Sequence, residues 1–197
     1  MKTLISVLIA GILMMYPFAV YYGLQYLPPR FLALILLALL FLRIALLKNN
    51  LSKMPWVVPA TLLGSLALVF SLFTQSNIGF KLYPLLVNCS LLMVFSFSLF
   101  KPPSVIETFA RLKEKNLNKQ GIKYTEKVTL LWCVFFVVNG CISLYTALYS
   151  ELEFWMLYNG FISYVLMGCL FAGEFLVRLK VKKHHKDSET QEPHLNE

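Results

Sequence analysis

Long apolar stretches at residues 4–22, 31–47, 56–73, 82–100, 128–149 and 154–177 alternate with short polar segments. Each stretch has about the 17 to 25 residues that an α-helix, rising about 1.5 Å per residue, needs to cross a hydrocarbon core. The pattern predicts an all-α polytopic bundle of six transmembrane helices over residues 1–178. A basic and then acidic tail follows at 179–197, too polar to build a core and therefore read as disordered. The breaks have clear chemistry. Leu27-Pro28-Pro29-Arg30 cannot continue a helix, Asn49-Asn50 lies in the turn at 48–53, and 74–81 forms the next turn. The first stretch has the charge and length of a signal peptide, but the bulky apolar run Tyr16-Pro17-Phe18-Ala19-Val20 stands where a small-residue cleavage site would be. An uncleaved first helix, kinked at Pro17, is expected. Tyr26, Trp56, Tyr83, Tyr149 and Trp155, near stretch ends, suit an interfacial aromatic belt.

Charge supplies an orientation. With the N-terminus inside, fifteen of the 18 Lys and Arg residues fall in inner segments: Lys2, Lys48 and Lys53, seven between Lys101 and Lys127, and five between Arg178 and Lys186. Outer segments hold Arg30 and Lys81, and Arg43 lies inside a stretch. This is the positive-inside asymmetry, and it predicts a multi-pass membrane protein with both termini cytoplasmic. Composition agrees, since 58% hydrophobic and 14% charged residues, with mean hydropathy +0.66, leave too little polar surface for a water-soluble globule. The net charge of +8 does not indicate nucleic acid, because the basic residues cluster at helix ends, where anionic lipid headgroups account for them. Cys89, Cys133, Cys141 and Cys169 all fall in apolar stretches without C-x-x-C spacing and read as packing residues.

The long polar interruption at 101–127 has structure of its own. Ser104 after Pro102-Pro103, with Glu107 three residues on, has the spacing of a capping box. Val105, Ile106, Phe109 and Leu112 then recur at helical intervals, predicting a short cytoplasmic amphipathic helix, and Gly121 with its polar neighbours closes the loop before Tyr124. Two roles fit: lying on the inner leaflet with Lys and Arg towards headgroups, or docking an acidic soluble partner through Arg111, Lys113, Lys115 and Lys119.

Polar residues inside the stretches are the candidate site, since each is costly in hydrocarbon unless satisfied. They are Asn88, Asn139, Asn159, Arg43 and Glu174. Arg43 and Glu174 each lie about one turn from the inner boundary and could form an ion pair, or Arg43 could snorkel. The segments Asn139-Gly140-Cys141-Ile142-Ser143 and Asn159-Gly160-Phe161-Ile162-Ser163 share a pattern too short to be a repeat. Asn159, Ser163, Leu166, Leu170 and Gly173 share one helix face, expected to look into the bundle. Interhelical hydrogen bonding or a polar ligand cavity would each use these groups. No nucleophile, acid–base pair or metal-ligand set accompanies Glu174 or His184-His185, so no catalytic, cofactor or metal site is assigned.

The blocks Lys81-Leu82-Tyr83-Pro84-Leu85-Leu86-Val87-Asn88, Pro102-Pro103-Ser104-Val105-Ile106-Glu107, Tyr124-Thr125-Glu126-Lys127-Val128-Thr129, Trp132-Cys133-Val134-Phe135-Phe136 with Asn139-Gly140, and Leu157-Tyr158-Asn159-Gly160 through Gly173-Glu174-Phe175-Leu176-Val177-Arg178 cover much of the C-terminal part of the chain. In these blocks the chain resembles a family of small bacterial inner-membrane proteins with no assigned activity. They are commonly encoded in gene clusters for aryl polyene pigments, beside acyl carrier proteins, ketosynthases and acyltransferases, and some members are misnamed as DNA gyrase. The resemblance implies a pathway rather than a reaction. The expected role is a non-enzymatic accessory or scaffold that brings an acyl carrier protein or cytosolic biosynthetic enzyme to the bilayer. The alternative is a small transporter or flippase for a lipid-linked or polyene product.

Overall fold

The computed structural model describes residues 15–47, 57–74, 77–113 and 117–191. Its helices are α1 (Tyr16–Tyr26), α2 (Pro29–Leu47), α3 (Val57–Thr74), α4 (Ile78–Phe100), α5 (Val105–Lys113), α6 (Lys119–Tyr149) and α7 (Leu152–Leu157). A π-helical turn, Tyr158–Ile162, leads from α7 into α8 (Ser163–Gln191). Among the described residues all regular structure is helical. Ile78–Phe100, Lys119–Tyr149 and Leu152–Arg178 are long and apolar enough to cross a membrane, and Pro29–Leu42 and Thr61–Phe73 are shorter apolar helices. The chain divides into two compact units, Met1–Phe161 and Ile162–Glu197. The second is built on α8, which continues helical to Gln191 through much of the segment expected to be a disordered tail. Good helix formers and the absence of Gly or Pro between Arg178 and Gln191 allow that extension.

In the first unit α4 and α6 form the main pair; α3 packs on α4, α2 on α3, and α1 against α2 and α7. Towards one end of the α4–α6 pair, Phe95 meets Phe136 edge-on at 5.1 Å between ring centroids, and Trp132 lies 5.8 Å from Phe136. At the other end α4 lies close against α3, where a Cβ on Gly79 would collide with Ser71 Oγ and the Ala67 carbonyl. Only glycine lets these backbones approach so closely.

Pro84 organises the start of α4. Lacking an N–H, it leaves the carbonyl four residues earlier, that of Phe80, without its helical donor. The Tyr16 hydroxyl donates to that oxygen at 3.3 Å, and its ring lies 4.3 Å from that of Tyr83. The next carbonyl, Lys81 O, accepts the indole N–H of fully buried Trp155 at 2.9 Å. In turn Lys81 Nζ donates to the Ser150 carbonyl at 2.7 Å, at the C-terminal end of α6, where the helix dipole favours a cation. Lys81 therefore stands inside α4 rather than in the preceding turn. Tyr83 and Trp155 correct the aromatic-belt expectation, being 5% and 0% exposed, because α4 and α7 enclose their ends against α1. Tyr26 and Tyr149 are exposed as a belt requires, and Trp56 lies outside the described residues. Pro17 sits in the first turn of α1, where proline is tolerated, and most of the expected first helix, residues 1–14, lies outside the described residues.

The expected capping box is present at the start of α5: Glu107 N–H donates to Ser104 Oγ at 3.2 Å and Ser104 N–H to Glu107 Oε2 at 3.4 Å. Beyond it the structure departs from expectation. Gly121 does not close the loop; it lies in the first turn of α6, where its N–H is capped by Asn118 Oδ1 at 2.8 Å. The helix thus starts nine residues before the apolar stretch at 128, an extension of about 13 Å.

If Tyr16 serves the carbonyl that Pro84 orphans, Tyr16→Phe should lower stability by about 1 kcal/mol. In a Pro84→Ala background, which returns the missing N–H, that loss should fall to near zero. Thermal unfolding of the four proteins in detergent measures it, and equal losses in both backgrounds would refute the link.

Candidate functional site

Three asparagines in apolar surroundings form the centre of the first unit. Asn88 on α4, Asn139 on α6 and Asn159 on the π-turn are 7%, 5% and 3% exposed. Asn139 bridges: its Nδ2 donates to Asn88 Oδ1 at 3.1 Å, and its Oδ1 accepts from the Tyr158 hydroxyl at 2.9 Å. Asn88 Nδ2 donates to the Pro84 carbonyl at 2.9 Å. Asn159 forms a second cluster, in which Oδ1 accepts from Ser143 Oγ at 2.7 Å and Nδ2 donates to Thr146 Oγ1 at 3.1 Å and the Trp155 carbonyl at 2.9 Å. Gly140, beside Asn139, faces Asn88, and a Cβ there would make ordinary van der Waals contact with Asn88 Cβ at 3.4 Å.

The local backbone explains why adjacent residues serve two clusters. On α6, Asn139 and Ser143 are four residues apart and share a face, with Thr146 three residues further on. In an ordinary α-helix Tyr158 and Asn159 would diverge by about 100°. Both are buried in the π-turn, from which Tyr158 reaches Asn139 while Asn159 reaches Ser143 and Thr146. The shared Asn-Gly pattern is therefore not two equivalent sites. Its first copy contributes Asn139 and Ser143 to these clusters and its second Asn159, and the two copies bond to one another.

Of the five residues picked from the sequence, Asn88 and Asn139 come together directly and Asn159 joins through the neighbouring cluster. The Arg43 side chain, and with it the expected pairing with Glu174, lies outside the described residues. Tyr158, Ser143 and Thr146 were not singled out. Tyr158 was legible only as one aromatic residue among many, because its register depends on the π-turn.

The chemistry of the site is amide and hydroxyl hydrogen bonding. Among the described residues no three His, Cys, Asp or Glu side chains gather as a metal site, and Ser71 Oγ alone of the buried side-chain polar atoms lacks a partner. At the basic end, Glu107 Oε1 holds Arg111 at 2.7 Å, so one of the four residues expected to dock a partner is already engaged within α5. The Lys113 side chain and the whole of Lys115 lie outside the described residues, while Lys119 is exposed. Lys123 and Lys127 are exposed as well, which places three lysines at i, i+4 and i+8 along the polar start of α6, with exposed Glu126 on the same side. No protein-family model, no curated protein and no solved structure matches this chain.

Asn139→Leu should strand both the Tyr158 hydroxyl and an Asn88 oxygen and cost about 2 kcal/mol, whereas Tyr158→Phe should cost about 1 kcal/mol. Asn88→Leu combined with Asn139→Leu should cost less than the sum of the single changes, since no stranded partner then remains between them. Thermal unfolding in bilayer discs gives the comparison, and strictly additive losses would mean that the amides do not cooperate.

Proposed function

We propose that this protein is a non-enzymatic accessory or scaffold of aryl polyene and lipid assembly in the bacterial inner membrane, recruiting an acidic acyl carrier protein or its cytosolic partner enzymes. In this reading the chain crosses the membrane six times with both termini in the cytoplasm. The observation that carries the role is the mutual satisfaction of the buried asparagines: their donors and acceptors bond to each other, to Ser143, Thr146 and Tyr158, and to backbone carbonyls. A transport path needs polar groups offered to a substrate, and these are already engaged. The outward-facing polar surface supports recruitment. Lys101, Lys119, Lys123 and Lys127 are exposed at one end of the α4–α6 pair, while Glu151 and Glu153 are exposed at the other. That polarity agrees with the positive-inside orientation, and lysines one helical turn apart repel each other until an anion screens them. The pathway rests on the resemblance of the C-terminal blocks, and the acidity of carrier proteins matches the charge of the α6 extension.

Reversing Lys119, Lys123 and Lys127 to Glu should weaken carrier-protein capture at least about tenfold and stop polyene lipid formation, with the protein still inserted in the membrane. A flippase would behave oppositely: the charge-reversed protein would stay active, and folded Asn88→Leu protein would accumulate product on the cytoplasmic face. Normal polyene output after deletion of the gene would overturn both readings. Reporter fusions after Leu47, Phe100 and Val177 should all report cytoplasmic, and a periplasmic signal at the last would overturn the six-span arrangement.

A further inference from the structure

Helix α5 is amphipathic with its faces reversed. The side turned to the protein is polar or small: Ser104 at its cap, Glu107 and Ala110 are 2%, 4% and 7% exposed. Glu107 is satisfied there by the capping box and by Arg111. Val105 and Ile106 are half-buried, whereas Phe109 and Leu112 point away, being 62% and 79% exposed. At three-residue spacing they share one side of the helix. A helix packed on a soluble domain would turn these two inward and leave Glu107 in water.

The chain enters α5 directly from α4, a helix long and apolar enough to cross a membrane. The last turn of α4 leaves Phe97 and Phe100 exposed, and Lys101 Nζ lies 5.1 Å over the Phe97 ring. Residues 101–104 alone separate the two helices, so α5 starts within about 18 Å of the end of α4. If α4 spans the membrane, an exposed apolar pair this near its end would lie at the level of the interface. Exposed Lys101, between α4 and α5, complements anionic headgroups.

We propose that α5 is an interfacial lipid-binding helix. Phe109 and Leu112 enter the acyl-chain region of the leaflet reached by the end of α4, and Lys101 lies at the level of anionic phospholipid phosphates. The polar, capped face of α5 is held against the protein, which fixes the helix in the plane of the interface and leaves the start of α6 to project beyond it. This assignment requires no soluble partner, so it stands or falls separately from the scaffold role.

Full-length protein with its four cysteines replaced by Ala, carrying Phe109→Cys, Leu112→Cys or Lys123→Cys and labelled with bimane, would be placed in discs of phosphatidylethanolamine and phosphatidylglycerol. Labels at 109 and 112 should emit at shorter wavelength than the label at 123. Doxyl-labelled lipid should quench them severalfold more than iodide does, with the order reversed at 123. Stronger quenching by iodide at 109 and 112 would overturn the proposal, and so would protection from both quenchers, which would mean that protein covers the face. In the otherwise native chain, photoreactive benzoylphenylalanine at 109 or 112 should cross-link to phospholipid. Cross-linking to a second polypeptide would refute the assignment even if the cysteine-free protein did not fold.

Discussion

A polar group removed from water in an apolar interior must find its partner within the protein, and the first unit is arranged around that constraint. It acts first on the backbone. Pro84 withholds one donor from α4, and the Tyr16 hydroxyl from α1 supplies it to the Phe80 carbonyl, while the Trp155 indole from α7 donates to the adjoining Lys81 carbonyl. A defect in one helix thereby becomes the point at which two others are fastened. The same constraint acts on side chains four residues later, where Asn88 donates to the carbonyl of that proline and accepts from Asn139. Proline and asparagine, each unfavourable alone in an apolar helix, act together: one opens the helix to its neighbours and the other binds the helix that arrives.

The main lines of this arrangement were legible in the sequence because they follow from patterns that act over short range. Stretch length gave the apolar helices, consecutive prolines gave the break before α2, and Ser104 with Glu107 gave the cap of α5. What was hidden depends on tertiary register. Trp155 and Tyr83 looked interfacial from their position near stretch ends, but depth along a helix does not say which way a ring turns, and both turn inward. Tyr158 could not be distinguished from other aromatics without the π-turn that aligns it with Asn139. The start of α6 was misread because Gly121 suggested a stop, whereas Asn118 supplies a cap that makes glycine acceptable in the first turn.

The candidate site was legible as a set of residue types, and the structure changes its meaning. Three buried asparagines admit either a cavity that offers amides to a ligand or a set of interhelical ties. The pairing of Asn139 with both Asn88 and Tyr158, and of Asn159 with Ser143 and Thr146, uses the amide groups inside the protein. Such networks favour one register of helices over others, since sliding α6 by a residue would separate every pair. Specificity of packing is then the property these residues confer.

With the interior committed to packing, recognition falls to surfaces, and here the basic end divides its two kinds of surface between two helices. Helix α5 carries the apolar pair outward and keeps its carboxylate inward. The first turns of α6 carry lysines outward and bury Thr125 and Val128. Packing of α6 against α5 links the two, so anything that fixes α5 at the interface also fixes the angle at which the lysines of α6 project. A loop of the same composition without structure would spread its charges over many geometries and would lose ordering entropy on binding. Holding Lys119, Lys123 and Lys127 on one rigid helix concentrates their field in one direction, which is what the proposed capture of an acidic partner would require.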